Sequence, residues 1–107
     1  MTQLERDIEK KLRDTVRKHG GQCLKWNCPG TAGVPDRIVL MPGGRIYFIE
    51  TKRPKGGKLS ALQKYNHKLL RELGFYVWVI WTLDDAAYFE LTLISDQKIN
   101  NVWRKKE

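Results

Sequence analysis

The stretch Gly33–Lys52, GVPDRIVLMPGGRIYFIETK, decides how the chain is read. It describes two strands joined by a tight turn, with Asp36 entering the first strand and Glu50 and Lys52 leaving the second. Successive strand side chains alternate between faces, so Glu50 and Lys52 point one way and Tyr47, Ile49 and Thr51 the other. Ile38, Val39, Leu40, Ile46, Tyr47, Phe48 and Ile49 supply apolar side chains to both faces, the pattern of a sheet covered on both sides. Acids and an amine placed beside such a core are costly unless they bind something.

The approach and the turn are chemically fixed. Pro35 sets its own dihedral and holds Val34 extended, so Asp36 enters its strand from a stiffened lead. Pro42, Gly43 and Gly44 make the hairpin turn, where glycine supplies the positive φ that tight turns require. Upstream, CPGTAGVP cannot continue a regular element, and Gln22–Asn27 is a short strand candidate.

The first helix runs from about Gln3 to His19. Leu4, Ile8, Leu12 and Val16 draw a stripe along it, and Gly20 and Gly21 end it. Glu5 and Glu9 lie one turn apart beside that stripe, where surface charge near a helix start is the ordinary reading. Downstream of Lys52, RPKGGKLS is a loop carrying Arg53, Lys55 and Lys58; it reads equally as a solvated turn and as a grip on a phosphate backbone. Ser60–Leu73 forms the second helix, with Leu62, Tyr65, Leu69 and Leu73 as its apolar face. Ser60 and Gln63 match a capping box, so Gln63 has a structural explanation of its own.

Phe75–Trp81, FYVWVIW, reads as an interior strand, which makes the hairpin's second strand, the Ser60 helix and this strand a parallel crossover unit. Beyond it, Asp84–Ala87 is expected as a helical turn, Tyr88–Ile94 as a further strand and Asp96–Lys106 as a short basic helix or fraying tail. The expected fold is α/β: a mixed central sheet flanked by helices in the order αβββαβ, one domain over residues 1–107.

The chain carries 20 lysines and arginines against 12 acids, a formal charge of +8. That balance favours a polyanionic partner such as nucleic acid. No apolar run reaches the roughly 18 residues of a membrane span, and the N-terminus has no secretion signal, so no membrane role and a cytoplasmic location are expected. Cys23 and Cys28 lack a second pair or a nearby histidine for zinc and read as free thiols. His19 and His67 sit alone on helices and read as surface or packing residues.

Two carboxylates with an open oxygen-rich position suit Mg²⁺ or Mn²⁺, hard cations that bridge to phosphate. Lys52, on the face of Glu50, is placed to position or deprotonate an attacking water and to steady charge on phosphorus. This is the chemistry of phosphodiester hydrolysis.

At these residues the chain resembles a known family. Gly33-Val34-Pro35-Asp36-Arg37, Phe48-Ile49-Glu50-Thr51-Lys52 and Gly57-Lys58-Leu59-Ser60 with Gln63 are similar to the motifs of the PD-(D/E)xK nucleases, and more narrowly of the virus-type replication-repair nuclease (VRR-NUC) domain. Glu5-Arg6-Asp7-Ile8-Glu9 and Lys25-Trp26 before a Pro-Gly loop fit its start. A PD with a spaced ExK is a weak signal; five motifs in order are a strong one.

The resemblance implies a stand-alone phage or bacterial nuclease with a restriction-endonuclease-like core. Asp36 and Glu50 would hold the metal with the Thr51 backbone carbonyl, and Lys52 would be the catalytic lysine. Glu5 would contribute from the first helix, with Glu9 as the alternative decided by helix register, and Gln63 would steady the network. Arg37, Arg53, Lys55 and Lys58 would contact DNA. The implied activity is structure-selective cleavage, of four-way (Holliday) junctions for example, by a homodimer. Tyr76, Trp78 and Trp103 are candidate aromatics for a dimer surface, with burial in the monomer core the favoured reading of Tyr76 and Trp78. A non-catalytic DNA-binding protein of the same fold and a sequence-specific nicking or restriction enzyme are the alternatives.

Overall fold

The computed structural model describes residues 4–104. Seven elements follow in order: α1 (Glu5–Lys18), β1 (Gln22–Lys25), β2 (Arg37–Met41), β3 (Arg45–Thr51), α2 (Ala61–Glu72), β4 (Tyr76–Ile80) and α3 (Leu83–Arg104). The four strands form one mixed sheet in the order β1-β2-β3-β4, antiparallel except for the parallel β3–β4 pair. The expected α/β architecture is present, extended by a third helix.

The hairpin forms as its sequence dictates. Met41 pairs with Arg45 across a turn of Pro42, Gly43 and Gly44, and both glycines have positive φ. From that pairing Arg37 falls opposite Ile49 and Val39 opposite Tyr47, which fixes the side each residue faces. Val39, Met41, Tyr47, Ile49 and Ile80 face α1 and α3. With Ile8, Leu12 and Val16 of α1 and Ala86, Phe89 and Leu93 of α3 they make the core. His19 Nε2 lies 2.8 Å from Glu90 Oε2, tying the end of α1 to α3.

Residues 88–94 are helical, not a strand, and with residues 84–87 and 96–104 they form the single helix α3. Phe89, Leu91 and Leu93 alternate as strand residues would. The residues actually buried are Ala86, Phe89 and Leu93, spaced three and four apart, while Leu91 is exposed. Thr82 and Asp85 start the helix reciprocally: Thr82 N–H donates to Asp85 Oδ2 at 3.2 Å and Asp85 N–H to Thr82 Oγ1 at 3.0 Å. Residues 105–106 of the expected tail and the side chain of Trp103 fall outside what is described.

The sheet is not covered on both sides. Leu24, Leu40 and Ile46 point away from the core and remain exposed. On their side lies α2, packed along β4 at one edge of the sheet. Nor does α2 bury its apolar stripe: Leu62, Tyr65, Leu69 and Leu73 are all exposed, and the one buried side chain is His67. Among the described residues no helix is long and apolar enough to cross a membrane. Cys23 and Cys28 are unpaired and half-buried.

Candidate active site

Four elements converge where β3 ends. Asp36 immediately precedes β2, and β2 pairs with β3 so that Arg37 lies opposite Ile49; this brings Asp36 beside Thr51. Thr51 N–H donates to Asp36 Oδ1 at 3.2 Å and the Thr51 hydroxyl to Asp36 Oδ2 at 2.9 Å. The lead-in loop is held against α2 as well: a Cβ on Gly33, whose φ is +86°, would strike the Leu62 backbone at 2.9 Å.

Strand alternation divides the site in two. Thr51 faces α1, whose Glu5 and Glu9 each bring an Oε1 to its hydroxyl, at 3.4 and 3.3 Å. A hydroxyl has one proton to give, and Asp36 is its shortest partner. The oxygens of Glu5, Glu9 and Asp36, all within 4.8 Å of one another, therefore face each other with too few protons between them. Such a donor set, all oxygen and short of positive charge, suits a hard divalent cation. Arg37 supplies part of that charge from behind, with Nη2 3.7 Å from Glu9 Oε2.

Glu50 faces the other way, toward α2. It is 4% exposed, and its Oε1 accepts from Gln63 Nε2 at 3.2 Å. Burial, a hydrogen bond with Asp36 and the charge of Asp36 push its pKa up to about 8, opposed by the Lys52 ammonium and reinforced by Glu5. Asp36 thus joins the two halves. With a pKa raised to about 8 by its burial and by Asp36, Glu50 tends to keep its proton at neutral pH.

Gln63 does two jobs with one side chain. Its Oε1 accepts the Ser60 backbone N–H at 2.9 Å, answering the Gln63 backbone N–H that donates to Ser60 Oγ at 3.1 Å, and its side-chain Nε2 donates to Glu50. Lys52 follows Thr51 and shares the side of Glu50. Arg53, Lys55 and Lys58 lie exposed on the loop that leaves it.

No protein-family model matches the chain. Over 80 residues it is 45% identical to a protein named "Putative nuclease p44" of Acyrthosiphon pisum secondary endosymbiont phage 1, a match spanning 75% of this chain and 85% of that protein. Its fold superposes on a solved VRR-NUC domain with a TM-score of 0.75, at 27% identity, covering 78% of this chain and 90% of that one. The chain belongs to the VRR-NUC family.

Within this VRR-NUC fold the residues singled out in the sequence are distributed unevenly. Asp36, Glu50, Lys52, Thr51 and Gln63 are brought together at the end of β3. Glu5 and Glu9 did not compete for one place: residues four apart on a helix share a face, and both reach Thr51. Arg37 departs from expectation. At 5% exposure it is turned inward to Glu9 and not toward a DNA surface, because its register opposite Ile49 puts it on the α1 side of the sheet. Two participants went unread. The Thr51 hydroxyl, and not only its backbone, is the meeting point of three carboxylates. His67, fully buried, has Nε2 3.7 Å from Glu50 Oε1; its position four residues after Gln63 was the available signal.

Proposed function

We propose that this protein is a Mg²⁺- or Mn²⁺-dependent endodeoxyribonuclease that hydrolyses phosphodiester bonds in branched DNA, four-way junctions in particular. The observation that carries this reading is the convergence of the Asp36, Glu5 and Glu9 oxygens on one hydroxyl proton, with Glu50 and Lys52 adjoining through Asp36. A divalent ion bound there supplies positive charge at a phosphate oxygen and lowers the pKa of a water nucleophile.

The chain's own groups do the rest. Asp36 and Glu50, with the Thr51 carbonyl, form the ion's seat, and Glu5 and Glu9 complete its charge from α1. Lys52 orients the nucleophile and offsets charge building on the phosphate. Arg53, Lys55 and Lys58 contact the backbone of the DNA without reading its bases. Arg37 acts as a fixed cation behind the carboxylates.

Cutting two strands symmetrically calls for two such sites, hence a homodimer. What supports a second copy as the partner is the open sheet face. Gln22, Leu24, Leu40 and Ile46 lie exposed on it beside the half-buried Ile38, and none is charged in a chain of net charge +8, so like copies approach there with least repulsion. Trp78 is less suited, since it packs on Phe89 within the fold, whereas Tyr76 is exposed.

The test is a panel of four-way junction, flap, splayed arm and plain duplex, each with Mg²⁺, Mn²⁺ or EDTA. Metal-dependent cleavage favouring the junction is expected. Binding to all four without cleavage of any would replace the nuclease by a DNA-binding protein of the same fold.

A further inference from the structure

We infer that His67 is a positioning residue for Glu50: from α2, its ring and the Gln63 amide together hold one oxygen of that carboxylate, leaving the other to face a divalent ion. The inference rests on the proposed function only in taking Glu50 as an ion ligand.

The observations begin with what α2 buries. This helix keeps Leu62, Tyr65, Leu69 and Leu73 outside and buries an imidazole, 1% exposed. Neither ring nitrogen of His67 has a hydrogen-bond partner, although neither is reached by solvent. Buried polar atoms are normally paired, and a leucine would fill this volume without orphaning any. As a packing residue, His67 is a poor choice.

Its surroundings give it another use. Nε2 lies 3.7 Å from Glu50 Oε1, a few tenths of an ångström beyond hydrogen-bond length. The same oxygen already accepts from Gln63 at 3.2 Å. Residues 63 and 67 are four apart, so their side chains stand one above the other on a single helix face and aim at a single carboxylate oxygen. Polar contacts at ligand-free sites are often long and tighten on binding. A histidine N–H donating to Oε1 fixes the plane of the carboxylate and raises the share of negative charge available at Oε2, as groups behind metal ligands do elsewhere.

The experiment is calorimetric titration of Mn²⁺ into DNA-free protein, alongside thermal denaturation without the ion, for wild type, His67→Leu and His67→Gln. Loss of the donor in His67→Leu is expected to weaken Mn²⁺ binding about 10- to 100-fold, the range typical of groups that orient a ligand. Its Tm should be unchanged or higher, because the orphaned atoms are gone. His67→Gln places an amide N–H near the position of Nε2 and should recover most of the affinity. Wild-type Mn²⁺ affinity in His67→Leu overturns the inference, as does a wild-type protein that binds no Mn²⁺.

Should His67→Leu fail to fold, ¹⁵N-histidine-labelled wild type titrated with Mg²⁺ decides the matter. The His67 Nε2 resonance should move to that of a hydrogen-bonded N–H while His19 stays put, and a His67 signal unmoved at saturation counts against the inference. The two readings fail separately. A protein that cuts no DNA yet shows this Mn²⁺ pattern loses the nuclease assignment and keeps His67. A metal-dependent nuclease indifferent to His67→Leu does the reverse.

Discussion

Helices α1 and α2 are both amphipathic and both lie against the sheet, yet they turn opposite sides to it. α1 buries its apolar stripe, Ile8, Leu12 and Val16, and reaches the site from the flank of that stripe with Glu5 and Glu9. α2 turns its polar side inward, Gln63 and His67 toward Glu50, and leaves four large apolar residues outside. The lesson is that a helix can be placed by its core or by its site. The first contributes stability directly; the second gives its inward face to polar contacts with Glu50 and leaves its apolar side outside.

The most forceful way to break the comparison is at Asp36, which belongs to both halves. Asp36→Ala should lower cleavage at least about 100-fold, beyond the usual cost of a supporting group, with DNA binding largely kept; gel-based cleavage and filter binding check it. If cutting persists, the two halves do not form one site.

Stability should separate the helices next. Leu12→Ala, in the α1 stripe and 1% exposed, should cost about 2–5 kcal/mol in urea unfolding. The same truncation at Leu73, 73% exposed on α2, should stay within about 0.5 kcal/mol for the monomer. Equal losses at both positions would mean that α2 is held by its apolar stripe after all.

pH sharpens the Glu50 side. Its folded pKa of about 8 stands above the ordinary value of 4.5, so the folded state holds a proton that the unfolded chain has released. The associated stability is full below about pH 4.5 and is lost as pH rises through about 8. Without divalent ions, Tm should therefore fall between pH 5 and 9 by at least about 4 °C, the shift of roughly 1 kcal/mol in a domain this size. Saturating Mn²⁺ should remove most of the fall, because the ion replaces the proton. A Tm independent of pH would place Glu50 outside the site.

The smallest expected effect concerns association. Leu40→Lys on the open sheet face should leave the monomer fold intact and shift light scattering from dimer to monomer. An unchanged dimer would move the interface off that face.

How much of this was legible beforehand differed by element. The hairpin and its register follow from Pro42-Gly43-Gly44 and the alternation around it, since turn chemistry acts over a few residues. α1 follows from its four-residue spacing. α3 was misread because Phe89, Leu91 and Leu93 satisfy a strand's alternation as well as Phe89 and Leu93 satisfy a helix's period; Thr82 and Asp85, three apart, were the neglected helix-start signal. The apolar side of α2 was correctly located but wrongly assumed buried, since periodicity gives the stripe and not what covers it. At the site, residue types and order pointed to Asp36, Glu50, Lys52 and Gln63. The inward turn of Arg37 to Glu9 and the meeting of three acids on the Thr51 hydroxyl depend on where α1 packs against the hairpin, which no local pattern encodes.

Gln63 carries a final consequence. The side chain that completes the first turn of α2 is also the one that touches Glu50, so helix nucleation and arming of the carboxylate are a single event. Whenever that turn frays, the acid is released from one of its holders at the same instant. On the proposed reading of Glu50, turnover is tied to that local folding equilibrium, and a Ser60→Ala change should register as lost cleavage in the same gel assay.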